Sequence, residues 1–249
     1  MKTMIAFDLD GTLAESKQPI GEEMSVLLKN LLDVAQVAVI SGGDWPQFEK
    51  QVVGRMQPDA KLERLFIMPT TGTKLFRFQD GVWNTIYNDA FTPEERDQVL
   101  DALNKAWDQA GFGGEQTWGE RIEDRGSQIT LSALGQQAPL EAKEHWDPKQ
   151  EKRRQLQAIL RTMIPDHSIN IGGATSVDIT RKGIDKAYGM RRLCDNAGIA
   201  FENILFMGDA IYPGGNDDPV RAAGIDSIKV RDVADTSVAI TAVIACLKA

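Results

Sequence analysis

The sequence predicts an α/β protein in which a mostly parallel sheet, covered on both faces, is interrupted by a second domain of α+β type with an antiparallel sheet. Three observations lead there. Apolar runs of strand length alternate with helix-period segments in the first and last parts of the chain. The middle runs helix, strand, strand, helix, strand, strand, an order that suits antiparallel pairs with helices on one face. Several apolar runs also end in an acid or a hydroxyl, at the end where an open parallel sheet binds its ligands.

The elements follow in order. "MIAFDL" is the first strand, and residues 22–32 carry Met24, Leu27, Leu28, Leu31 and Leu32 at helical spacing. "VAVIS" is a second strand. "DWPQFEKQVVG" reads as a helix with Asp44 at its cap, Pro46 in its first turn and Gly54 at its stop. "RLFIMP" is a third strand, and "TKLFRFQDGVWNTI" a hairpin turning at Asp80-Gly81. In the middle come a charged helix over 93–109, the β-like runs "WGERIED" and "SQITLSAL", a second charged helix over 148–163, then "SINIGG" and "TSVDIT". The first pattern returns with a helix over 184–197, the strand "NILFMGD", a short helix over 216–223, the strand "SIKV" and a closing helix in "SVAITAVIACLKA". The predicted division is a core of residues 1–84 and 184–249 with residues 85–183 inserted as a cap.

Composition narrows the function. The chain has 249 residues, 42% apolar and 26% charged, ordinary for a soluble globular protein. Its 36 acids against 28 bases leave a net charge of −8, which argues against a nucleic-acid surface. Cys194 and Cys246 stand alone, with neither disulfide nor zinc spacing, and His145 and His167 read as surface residues. Asp8 and Asp10 interrupt the first apolar run before a signal peptide could form, and the apolar tail is too short to span a bilayer. A cytoplasmic enzyme without a membrane partner is the expectation.

The acids at the strand ends carry the chemistry. Asp8 and Asp10 close the first strand, Ser41 the second, and Asp209 closes "LFMGD", with "YPGGNDD" following. If these strands are neighbours, three carboxylates and a hydroxyl meet in one crevice. Buried like charges need an offset, and oxygen ligands favour Mg²⁺. Alone, "DLDG" would also suit a calcium-type loop or a solvated turn; the apolar strand before it and "GD…GGND" downstream point away from both.

These residues resemble a known family. "DLDGT", the strand-end serine, "DK" at 185–186 and "GD…GGND" occur in the order of the haloacid dehalogenase phosphotransferase superfamily, and the cap position matches its members with α/β caps. Within it, "FDLDGTLAESKQPI", "GGATSVDITRKGIDKAYG" and "FMGDAIYPGGNDDPV" are similar to motifs of the eukaryotic-type phosphomannomutases. The resemblance implies a Rossmann-like core in which Asp8 is the nucleophile that takes up a phosphoryl group and Asp10 the general acid/base. Lys186 balances charge on Asp8 and Ser41 bonds the phosphoryl oxygens. Asp209 holds Mg²⁺ with the Asp8 carboxylate and the Asp10 backbone carbonyl, while Asn216 and Asp217 steady the site from outside. The family pattern Gly-Gly-Ser-Asp reads Ser41-Gly42-Gly43-Asp44 here, so the hydroxyl has moved.

In the cap, "EDRGSQITLSALGQ" is similar to the segment with which these mutases grip the distal phosphate of a hexose bisphosphate. The likeness assigns Arg125 to that phosphate beside Ser132, and Ser176 and Asp178 to sugar hydroxyls. Gln136 stands where the family has a second arginine, and Arg121 is the nearest substitute. A homodimer through the cap is also expected. The implied function is Mg²⁺-dependent phosphoryl transfer on a phosphosugar, interconverting hexose 1- and 6-phosphates. A sugar-phosphate phosphatase of the same architecture is the second reading, and a non-catalytic phosphosugar-binding module the third.

Overall fold

The structure is a computed structural model that describes residues 1–248. In chain order it has β1 (Met4–Asp8), α1 (Glu22–Val34), β2 (Gln36–Ile40), α2 (Trp45–Gln51), β3 (Leu65–Met68), β4 (Lys74–Gln79) and β5 (Val82–Asn88). The middle supplies α3 (Pro93–Gln109), β6 (Ile122–Asp124), β7 (Gln128–Ser132), α4 (Leu140–Trp146), α5 (Glu151–Met163), β8 (His167–Ile171) and β9 (Ser176–Arg181). The chain closes with α6 (Lys186–Ala197), β10 (Ile204–Gly208), α7 (Asp218–Ala222), β11 (Asp226–Lys229) and α8 (Val233–Leu247). It divides into two compact units, Met1–Asn88 with Asp185–Ala249, and Asp89–Ile184.

The first unit is built on a seven-stranded sheet of order β11-β10-β1-β2-β3-β4-β5. The strands from β11 to β3 are parallel, and β4 and β5 add an antiparallel hairpin. All five residues of β1 are buried, and its side chains alternate between two apolar layers. Ile5 and Phe7 join Val37, Val39, Ile67 and the α1 residues Leu28, Leu31 and Leu32 on one face. Met4 and Ala6 join Ile40, Phe66, Phe206 and the α6 residues Met190 and Leu193 on the other. The hairpin turns where expected: Asp80 and Gly81 both have positive φ, as a two-residue hairpin turn requires. Because β5 pairs with β4 as far as Asn88, this unit keeps residues 85–88 that the sequence had assigned to the cap.

The second unit has a four-stranded antiparallel sheet of order β6-β7-β9-β8. Ile129, Leu131, Val177 and Ile179 point toward α3 and α5, where Trp107, Leu103, Leu156 and Leu160 complete the core. Helix α3 starts at a Thr92–Glu95 capping box with Pro93 in its first turn. The expected helix over 148–163 begins only at Glu151, because Gln150 takes a left-handed conformation and Asp147 accepts the N–H groups of Lys152 and Arg153. The short helix α4 before it was not expected. His167, expected at the surface, is half-buried at the start of β8, and burial lowers its pKa. Among the described residues no helix is long and apolar enough to cross a membrane.

Candidate active site

Strand order brings the first-unit residues together. β1 lies between β10 and β2, and Asp8, the last residue of β1, pairs with Ile40, the residue before Ser41. Asp209 directly follows the last residue of β10. Carboxylate oxygens of Asp8, Asp209 and Asp217 lie within 4.8 Å of one another. Lys186, the first residue of α6, is set by its neighbour Asp185, whose side chain caps the helix by accepting from the Tyr188 N–H. Its ammonium lies 2.5 Å from Asp8 Oδ1 and 2.5 Å from Asp217 Oδ1. The other Asp217 oxygen accepts the Ala210 N–H at 3.0 Å.

Three carboxylates face one ammonium, and Asp8, Asp217 and Lys186 are all buried. Burial pushes the Asp8 carboxyl up to about 7 against the pull of Lys186, and the charges of Asp217 and Asp209 add to the rise. Burial and then the Asp217 charge raise Asp209 as well. Burial works against the Lys186 ammonium, but Asp8 and Asp217 outweigh it and hold its pKa above the usual lysine range. The residual negative charge and the all-oxygen donor set fit a hard divalent cation. Gly11 makes room for the cluster: its φ is +87°, and a Cβ there would come within 2.7 Å of Asp209 Oδ2.

The remaining expected residues divide. The Asp10 carboxylate is outside this cluster; it accepts from the Lys17 N–H at 2.6 Å and from Gln47 Nε2 at 3.0 Å. Ser41 is buried at the end of β2, its Oγ 3.5 Å from the Gly43 N–H. Of the two residues expected to steady the metal site, Asp217 has its carboxylate inside the cluster, whereas Asn216 is exposed.

The second unit has one polar sheet face. Register pairs Gln128 with Thr180, Thr130 with Asp178 and Ser132 with Ser176. These alternate with the core residues Ile129, Leu131, Val177 and Ile179, so they share the face turned away from the helices. Thr130 Oγ1 donates to Asp178 Oδ1 at 2.7 Å, and the Ser132 and Ser176 hydroxyls lie 3.2 Å apart. Arg125 is paired with Glu123 at 2.7 Å. Gln136 Nε2 donates to Ser132 Oγ at 3.1 Å, and Lys143 Nζ to the Gln136 carbonyl at 3.3 Å. Arg121 does not join them: its guanidinium stacks on the core residue Trp107, 4.6 Å from the ring centre, which corrects its expected role as a second phosphate clamp. Glu123, Gln128, Thr130 and Lys143 were missed from sequence. Alternation in "SQITLS" was the available signal for Gln128 and Thr130.

The comparisons with known proteins agree with this architecture. The fold is shared with a haloacid dehalogenase-like hydrolase from Bacteroides thetaiotaomicron, at a TM-score of 0.62 and 14% identity over 98% of this chain and 100% of that one. N-terminally truncated IMP-nucleotidase from Plasmodium falciparum superposes at a TM-score of 0.71 with 15% identity, over 97% of this chain and 70% of that one. These two likenesses define the fold, which the chain shares with haloacid dehalogenase-like hydrolases. Residues 24–245 match the family model for eukaryotic phosphomannomutase, and the chain belongs to that family. It is 28% identical to phosphomannomutase of Encephalitozoon cuniculi, covering 87% of this chain and 83% of that one. Human phosphomannomutase 1 is 25% identical, covering 89% and 84%.

Proposed function

We propose that the chain is a Mg²⁺-dependent phosphosugar mutase that carries the phosphoryl group on Asp8. The observation that supports this reading best is the cluster of Asp8, Asp209 and Asp217, with Asp8 and Asp209 at the ends of adjacent parallel strands and the buried Lys186 paired with Asp8 and Asp217. Asp8, Asp209 and the Asp10 backbone carbonyl would hold Mg²⁺, with Asp217 beside them; when bound it supplies positive charge next to the transferred phosphoryl group. A cytoplasmic location accords with the two free cysteines.

The chain's own residues divide the work. The phosphoaspartate at Asp8 is attacked by a hydroxyl of a hexose monophosphate, which gives its proton to Asp10 as the Asp8–phosphorus bond breaks. The hexose bisphosphate turns end for end. Asp8 then attacks its other phosphorus, the sugar–oxygen bond to phosphorus breaks, and Asp10 returns the proton to the leaving sugar oxygen. Lys186 and Ser41 bind the phosphoryl oxygens through both halves. In the second unit Arg125 would hold the distal phosphate, and Ser132, Ser176 and Asp178 the sugar hydroxyls.

One observation favours the phosphatase alternative. Gln136 replaces an arginine of the family and is tied to Ser132, while Arg125 is already paired with Glu123, so the positive charge offered to a second phosphate is reduced. Water would then take the place of the second sugar hydroxyl. The deciding experiment is a panel of phosphosugars with and without a hexose 1,6-bisphosphate, scoring isomerised product against free phosphate. Isomerised product supports the mutase; phosphate release unaffected by the bisphosphate overturns it in favour of the phosphatase.

A further inference from the structure

The loop after β2 and helix α2 make a set of contacts that the strand-end acids do not explain. Gln47 Nε2 donates to Asp10 Oδ2 at 3.0 Å. Gln51, one turn later on the same helix face, places its Nε2 3.4 Å from Asp10 Oδ1 while donating to the Gln18 carbonyl at 2.6 Å. The Lys17 N–H completes the set at 2.6 Å from Asp10 Oδ1. Both oxygens of Asp10 are thus engaged from outside the Asp8–Asp209–Asp217 cluster.

Gln47 reaches Asp10 by lying across Gly43. A Cβ at residue 43 would stand 2.1 Å from Gln47 Oε1 and 2.5 Å from its Cδ, so this side-chain position requires glycine there. The start of α2 is fixed in turn by Asp44, whose side chain accepts from the Trp45 N–H at 2.8 Å and from Lys74 Nζ at 2.7 Å.

We infer that Gln47 is a positioning residue for Asp10, admitted by Gly43, and that it sets the orientation in which Asp10 exchanges its proton with the substrate oxygen. This rests on the reading of Asp10 as the general acid/base. Two amides and a backbone N–H restrict rotation of a short side chain that must meet one oxygen atom, and a misplacement of about 1 Å can cost roughly a hundredfold in rate. A primary amide suits the task because it donates without a charge of its own to gain or lose.

The test is a double-mutant cycle of Gln47→Ala and Gly43→Ser, with Asp10→Asn as a control, in the full-length chain with Mg²⁺ and a turned-over phosphosugar. Gln47→Ala is expected to lower kcat about ten- to a hundredfold, with KM changed by no more than about twofold and the melting temperature retained. Gly43→Ser should lower kcat by displacing Gln47, and should add nothing in the Gln47→Ala background. Wild-type kcat in Gln47→Ala, an effect confined to KM, or multiplying losses in the double variant would each overturn the inference. If Asp10→Asn keeps its activity, it is the acid/base reading that has failed; if Asp10→Asn is inactive while Gln47→Ala is normal, only the role of Gln47 has.

Discussion

Gly72 and Gly189 meet without side chains between them: a Cβ on Gly72 would stand 2.5 Å from the Gly189 Cα. A Cβ on Gly189 would in turn press on Ile40 Cδ1 at 2.5 Å and on the Thr71 carbonyl at 3.0 Å. This close approach seats α6 against the end of β2 and the turn after β3. Lys186 lies one helical turn before Gly189, so the same contact sets how far its ammonium reaches. Gly189→Ala should cost about 1–3 kcal/mol of stability through overpacking, and turnover should fall further than the stability loss explains. Urea melts beside steady-state rates check this; a variant with normal rates would show that Lys186 is placed by other means.

The turn that Gly72 belongs to is strained. Thr70 and Thr71 have φ of 49° and 60°, unfavourable for β-branched residues, yet the Thr70 N–H bonds the Gly43 carbonyl and the Thr71 N–H the Ser41 carbonyl. Thr71→Asn should keep the backbone path and raise stability by about 1 kcal/mol, measured as a shift of the urea midpoint at unchanged slope. An unchanged or lowered midpoint would mean that the threonine side chain repays its strain.

Much of the core was legible in the sequence because its strands are short apolar runs with turn residues between them, and because Asp8, Ser41 and Asp209 close such runs. What was not legible depends on where a side chain turns after its backbone is placed. Asp217 sits in "GGNDD", three polar residues in a row, and only the folded loop shows that this one turns inward to Lys186 while Asn216 stays exposed. Arg121 was assigned by nearness in sequence, but Trp107 on α3 draws its guanidinium away. Gln47 carries no motif; its role follows from the space left by Gly43.

The Asp8 carboxyl provides a stability signature in pH. Its folded pKa is raised to about 7 from a usual value of 3.8, so between these values the folded state holds more protons than the unfolded state. The metal-free protein therefore loses stability through Asp8 as pH rises across that range, and the loss is complete above about pH 7. Asp8→Asn removes it. The melting temperature of Asp8→Asn minus that of wild type should grow from pH 5 to pH 7.5 without metal, a difference in which the opposing effect of His167 cancels. The variant should have no turnover. A flat or falling difference, or retained turnover, contradicts the description of Asp8.

Asp10 and Asp209 should separate under the same substitution. The Asp209 carboxylate lies in the cluster and the Asp10 carboxylate does not. Asp209→Asn should weaken Mg²⁺ binding, whereas Asp10→Asn should leave it near wild type and slow phosphoryl transfer about a hundred- to ten-thousandfold. Titration calorimetry with Mg²⁺ alone reads the first effect and single-turnover kinetics the second. Equal losses of Mg²⁺ affinity in both variants would mean that Asp10 binds the metal through its carboxylate.

On the mutase reading proposed above, the polar sheet face of the second unit would hold the second phosphate. There Arg125 is paired with Glu123 at 2.7 Å, and Gln136 bonds Ser132 at 3.1 Å. A mutase has to retain a bisphosphate while the sugar turns, so the charge available on this face should control partition between isomerised product and free phosphate. Arg125→Ala should reduce isomerisation strongly, because a bidentate guanidinium contact to phosphate has no neutral substitute. Gln136→Arg adds a guanidinium beside Ser132 and should raise the ratio of isomerisation to hydrolysis. Glu123→Gln leaves Arg125 in place but removes its paired charge, and should tighten activation by a hexose 1,6-bisphosphate. If Arg125→Ala leaves the product ratio unchanged and neither other variant moves it, this face does not bind the distal phosphate, and specificity resides elsewhere in the chain.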